Sequence, residues 1–114
     1  MELIIERVVG TTNTTTAVFL KSKLVGPGEF GIFDFGAIYN ESGEGITFQW
    51  VILRGSDVIF VSADSTVADG KAVSSTDLPT LMVGEQLAAR VTGTAKLGKV
   101  TMILSGVQPA ILKE

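Results

Sequence analysis

The amino-acid sequence predicts an all-β fold: a single antiparallel β-sandwich or jelly-roll-like domain with extended terminal segments. Three observations carry that expectation. Val, Ile, Thr and aromatic residues gather in short runs that alternate apolar and polar, the period of a half-buried strand. Thirteen glycines punctuate those runs across the 114 residues. No long stretch repeats apolar residues at helical spacing between helix caps.

Residues 2–9 read as the first strand, with Leu3, Ile5 and Val9 on one face. TTNTTT at 11–16 is either a flexible arm that orders on a partner or a Thr-rich strand start, and it leads into a strand over 17–24. VGPGEFG then breaks the chain, because Pro27 lacks an amide hydrogen and Gly26 and Gly28 favour turns. A strand over 31–39 follows, and NESGEG is a turn. The clearest strand is 46–53, apolar on one face through Ile46, Phe48, Trp50 and Ile52 and partly apolar on the other through Val51 and Leu53. That pattern fits a central strand covered on both sides, or one with a face at a subunit contact. RGSD turns the chain into 58–62, and the polar stretch from Ser62 to Pro79 reads as a loop crossing from one sheet to the other. The last two strands are 87–93 and 99–106, joined by TAKLG. Leu87, Ala89 and Val91 share one face, as do Val100, Met102 and Leu104, and the two strands read as a closing hairpin. The expected organisation is an N-terminal arm or edge strand over 1–13, a sandwich over 14–108 and a tail over 109–114.

Composition narrows the chemistry. There is no His and no Cys, so a Ser-His-Asp or Cys-His arrangement cannot be built from this chain, and neither can a disulfide or a thiolate metal site. Nine basic residues are scattered among twelve acidic ones, for a net charge of -3, and the pI is about 4.9. A nucleic-acid binder shows a basic stripe and a high pI, so nucleic acid is not an expected partner. MELIIERVVG carries Glu2 and Glu6 where a signal peptide needs basic residues. No apolar run approaches the ~18 residues that span a bilayer, so no membrane partner is expected.

The candidate motifs favour structural roles. Asp64, Asp69 and Asp77 lie in the polar stretch, but their spacing is not that of a calcium loop, and Asp caps turns. Glu41 and Glu44 share one turn, whereas a glycosidase pair must face each other across a cleft. Asn13 and Asn40 match the N-glycosylation pattern, which means little without a secretory signal. Gly26, Gly28 and Gly31 have no helix pattern after them, so they form no phosphate cradle. Trp50 could belong to a sugar-stacking platform, but its place in the most apolar strand favours the core. No cofactor is expected.

Residues 37–53, AIYNESGEGITFQWVIL, and residues 63–107, from ADSTVADGK to the closing LSGV, form a recognisable pattern. A strand ends in Asn and a small polar turn precedes an apolar strand. A polar crossover, a Leu-Pro-x-Leu entry at Leu78–Leu81, a Gly-Glu-x-Leu phrase at Gly84–Leu87 and a closing Ser-Gly-Val at Ser105–Val107 follow. This resembles small β-sandwich structural proteins of tailed bacteriophages over about two thirds of the chain. The N-terminal third departs from that family, which opens with a Pro/Ala-rich turn where TTNTTT stands here. The resemblance implies a non-enzymatic virion protein: foremost a capsid decoration (cement) protein, otherwise a head-fibre base or a tail-associated subunit. Its partners would be the major capsid protein and its own copies as a homotrimer, and its location the capsid surface after synthesis in the host cytoplasm. The alternative is a tail-associated or receptor- or carbohydrate-binding module. Contacts would fall on Leu3, Ile4 and Ile5 at one end and Ala110, Ile111 and Leu112 at the other.

Overall fold

The structure is a computed structural model that describes residues 2–22, 25, 32–92 and 97–108. The strands are β1 (Glu2–Thr11), β2 (Val18–Lys21), β3 (Ile32–Glu41), β4 (Ile46–Arg54), β5 (Asp57–Val61), β6 (Ser65–Val67), β7 (Ala72–Ser75), β8 (Glu85–Val91) and β9 (Lys99–Gln108). No helix occurs among the described residues. β1 pairs with β9, β2 with β8, β3 with β7, and β4 with β5 and β6, so the chain doubles back on itself as a nested hairpin. Two further pairings, β3 with β9 and β4 with β8, roll that hairpin into two sheets. The first sheet runs β1-β9-β3-β7; the second runs β2-β8-β4-β5, with β6 beside β4. Every pairing is antiparallel. The nested order is that of a jelly roll, within the expected all-β sandwich class.

The core lies between the sheets. β4 supplies Ile46, Phe48, Trp50 and Ile52 from one side and β9 supplies Val100, Met102 and Leu104 from the other, all buried. Phe48 and Trp50 meet edge to face with ring centroids 5.5 Å apart, a favoured aromatic geometry. The Trp50 indole N–H donates to Ser75 Oγ at 3.1 Å, so its polar atom is satisfied inside the sandwich. The other face of β4 is also covered: Val51 and Leu53 pack with Ala88 and Phe19 on the outside of the second sheet.

The closing hairpin expected at 87–106 does not form. β8 belongs to the second sheet and β9 to the first, and the chain between them crosses the sandwich. Alternation cannot separate the two arrangements, because strands facing each other across a core point the same residues inward as strands paired side by side. β1 puts Ile5 and Val9 on one face, as expected, and that face is the outer one. Ile5 and Val9 point outward, because the pairing sets Val8 opposite Met102 and Gly10 opposite Val100, and those partners face the core. A Cβ at Gly10 would meet the end of the Leu20 side chain, which would have to shift within the core. The polar stretch does cross between sheets as expected, but it contains two short strands, β6 in the second sheet and β7 in the first. Its polarity concealed them: Ala72 and Ser74 face outward at an edge and need no apolar side chain.

Local turns follow their chemistry. Arg54 and Asp57 pair across a two-residue loop, with Gly55 at φ 62 in its first position, the glycine-demanding position of a tight hairpin turn. TTNTTT closes as an Asx turn: the Asn13 side-chain oxygen accepts from Thr15 N at 2.8 Å and Thr16 N at 3.3 Å. Thr12 is buried beside Gly98, donating its N–H to Gly98 O at 2.7 Å and accepting from Gly98 N at 2.9 Å. The GPGEFG turn lies outside the described residues.

Candidate interaction surface

A sheet packed on one side has a second side to account for. On the outer face of the first sheet the alternation that buries Val8, Ile38, Met102 and Leu104 forces their neighbours outward. Those neighbours are largely apolar: Ile5 is 70% exposed, Val9 57%, Tyr39 40%, Phe35 37% and Ile103 37%. The register groups them. Arg7 lies opposite Ile103 and Val9 opposite Thr101 on one side of β9, and Tyr39 lies opposite Thr101 on the other. A shallow concavity of about 500 Å³ runs across these three strands between Arg7, Val9, Tyr39, Ile103 and the Glu41–Lys99 pair. Lys99 Nζ stands 3.5 Å from Glu41, so those charges answer one another at one end of the face, while Arg7 sits among apolar neighbours. Such a face can bury apolar and aromatic groups and pair one acceptor with Arg7. Exposed apolar residues gathered on one face make it the candidate contact surface of the described residues.

The expected contact residues fall on both sides of the described boundary. Leu3, Ile4 and Ile5 lie in β1 at the sheet edge, paired through their backbones with Val107, Gly106 and Ser105. Ile5 projects from the outer face; for Leu3 and Ile4 the description covers the backbone. Ala110, Ile111 and Leu112 lie outside the described residues. The register brings Ile5 onto the same face as Val9, Phe35, Tyr39 and Ile103, four residues that sequence reading did not select. Their signal was present as apolar residues at both parities of a strand, which demands something on each face.

The other motifs resolve into structure. Asp69 accepts Gly43 N–H at 2.9 Å, joining two turns. Among the described residues no group of three or more acidic side chains is placed to hold a metal ion. Glu41 is exposed beside Lys99. Asn40 is fully buried, and its amide donates to Glu44 O at 2.6 Å and Val67 O at 2.9 Å while accepting from Ser42 N at 2.9 Å. A side chain so engaged is closed to glycosylation in the folded protein. Trp50, at 4% exposure, offers no stacking surface.

A second buried polar knot, absent from the sequence reading, sits at the start of β8. Glu85 is buried between Arg54, 2.5 Å away, and the Met82 amide, which donates to it at 2.8 Å. On the outer face of β4 and β8, Arg90 donates through Nε to Gln49 Oε1 at 3.0 Å and through a second nitrogen to the same oxygen. A scan against protein-family models found no match for this chain, and neither did searches of curated proteins and of solved structures.

Proposed function

We propose that this chain is a non-enzymatic structural protein of a tailed-phage virion, a capsid decoration protein that binds the lattice of the major capsid protein and stabilises the head. The observation that carries the reading is the outer face of the first sheet, where Ile5, Val9, Phe35, Tyr39 and Ile103 stand exposed together on paired strands. A rigid sandwich with one apolar face suits a subunit that occupies a repeating surface through many equivalent contacts, since linked weak contacts multiply in strength. The phage assignment itself rests on the resemblance of residues 37–107.

Electrophoresis of purified particles from the phage that encodes the chain tests this reading. A band in hundreds of copies supports it, and absence from particles ends it. Ile103→Glu and Tyr39→Glu should leave the domain folded and deplete that band, because each places a charge in the contact face. The exposed ring of Tyr39 beside Arg7 in a concavity also suits a tail-associated or carbohydrate-binding module. Glycan-dependent chemical shifts confined to Tyr39 and its neighbours, in a protein absent from heads, would favour that second reading.

A further inference from the structure

The edges of the two sheets are protected unequally. β1 carries Glu6 and Arg7 in mid-strand, β2 ends in Lys21, and β7 is four small or modest residues preceded by Lys71. Charge and shortness are the usual defences of a free edge. β5 has no charge over Val58–Ile59–Phe60–Val61, whose exposures are 39%, 45%, 41% and 45%, and its one defence is a bulge at Ile59, where its register with β4 shifts. Its inner neighbour is β4 alone, and no strand of the described chain pairs with its other side. Four consecutive apolar residues, each just under half exposed irrespective of parity, are what a strand shows when both of its faces continue a sheet that stops one strand short.

The hydrogen-bond pattern shows what fits there. Ser62 N–H donates to Trp50 O at 2.8 Å, and Val61 pairs with Val51 one step along. In an antiparallel ladder bonded and unbonded pairs alternate, so the Val61 N–H and C=O point away from β4 toward the open edge. The complement of that edge is an extended, apolar strand.

We propose that the occupant is β5 of a second copy, paired antiparallel about a two-fold axis at Phe60, so that two second sheets join into one continuous sheet. The sequence is self-complementary in that register. Phe60 faces Phe60 of the second copy, Ile59 faces its Val61, and Val58 faces its Ser62. Asp57 falls opposite Ala63 and Asp64 opposite Ser56, so no carboxylate meets another. A parallel pairing would set Asp57 beside Asp57, and like charges directly opposite are destabilising. The outward groups of Val61 then meet Ile59 of the second copy, the residue that the shift in register leaves without a partner in β4. The contact is two-fold, where the resemblance implied three-fold association, and it holds whether or not the protein sits on a capsid. Two five-residue strands bury less than the ~800 Å² per partner of a standard interface, so the dimer is weak and concentration-dependent.

The test uses the intact chain. Sedimentation equilibrium from ~1 µM to ~1 mM, the range of weak complexes, should show the mass rise from one chain toward two. Val61→Pro removes the outward N–H without touching the ladder to β4, and should remain one chain throughout with an unchanged far-ultraviolet spectrum. Because the protein has no cysteine, Phe60→Cys carries a single thiol. Across the two-fold axis its Cα would lie about 4.5 Å from its mate, within disulfide reach. Mild oxidation should therefore cross-link it at least tenfold faster than Ser74→Cys at the edge of the first sheet. If Val61→Pro unfolds, amide exchange at Val61 in the unmodified chain decides instead, and should slow as concentration rises. One chain at ~1 mM, a three-chain mass, cross-linking of Phe60→Cys no faster than the control, or concentration-independent exchange at Val61 overturns the proposal.

Discussion

Replacing Asn40 separates a structural knot from a surface polar residue. The side chain makes three hydrogen bonds in a fully buried position: two donated, to Glu44 O and Val67 O, and one accepted from Ser42 N. Together they tie the end of β3 to the NESGEG turn and to the end of β6. Each such bond contributes a net ~1 kcal/mol. Asn40→Ala removes all three and leaves the Ser42 amide without its acceptor, while Glu44 O keeps the Ser42 hydroxyl at 2.9 Å. The expected loss is about 3 kcal/mol, or roughly 12 °C in Tm for a domain of this size.

Asn40→Asp sharpens the test because it keeps the shape. At neutral pH a carboxylate would face two carbonyl oxygens where the amide donated to both, so Asp should destabilise more than Ala. Burial and those oxygens hold the variant carboxyl above its unfolded value of about 3.9. The folded state then binds more protons than the unfolded state between the two values, so stability must rise as pH falls through that window. A protonated Asp also regains one donor. Urea denaturation followed by Trp50 fluorescence, run from pH 7 to pH 4, would show Asp below Ala at the upper end and converging on it toward the lower. A loss under ~1 kcal/mol for Ala, the worth of a single bond, or an Asp variant with no pH dependence beyond that of Ala, would refute the account of Asn40 as a three-way tie.

Other expectations follow from close approaches and buried charge. Gly98→Ala would set a Cβ 2.5 Å from Ser42 O and 2.6 Å from Ser42 Cβ, where backbone must move, so a loss of about 3 kcal/mol in urea denaturation is expected, with Thr12 losing its paired bonds to Gly98. Arg54→Ala should cost more than Glu85→Gln, about 2 against about 1 kcal/mol in the same assay, because it strands a buried carboxylate while Gln keeps the Met82 amide bond. Trp50 emission should be blue-shifted, insensitive to iodide and unchanged by added glycans, since the indole is enclosed and bonded to Ser75. A red-shifted or quenched signal would contradict the packing of β4.

Legibility in the sequence divided along a physical line. Strands whose two faces differ were found with useful limits. Residues 46–53 were read as apolar inward with a partly apolar second face, and both are buried, the second under Phe19 and beside Ala88. Pairing was not legible, because it depends on contacts that alternation does not encode. The inward faces of β8 and β9 meet across the sandwich, yet their alternation is that of a hairpin. β1 shows the same limit in miniature: with apolar residues at Leu3, Ile4, Ile5, Val8 and Val9, either parity could face the core, and the register with Val100 and Met102 chose the even one. Asn40 was visible as a sequon and as the end of a strand, but nothing in one dimension shows that Val67 will come within 2.9 Å of it.

The same distinction governs what can be said of contacts. An inward residue is explained once its core neighbours are named, whereas a group of outward apolar residues is explained by no neighbour among the described residues. Two regions of the described chain gather several such residues, and they do so differently. The outer face of the first sheet presents side chains without unmet backbone, so any surface of matching shape and apolarity can satisfy it. The β5 edge presents backbone donors and acceptors as well, and these admit only another extended strand in a fixed register. A face of the first kind suits attachment to a large partner surface, where shape and multiplicity decide. An edge of the second kind suits association with a like strand, where hydrogen bonds set direction and spacing. Glutamate at Ile103 should therefore release the protein from a partner surface without changing its mass in solution, and proline at Val61 should change that mass while leaving the face intact. If one substitution produced both effects, the face and the edge would be parts of one interface, and the separation argued from their chemistry would fail.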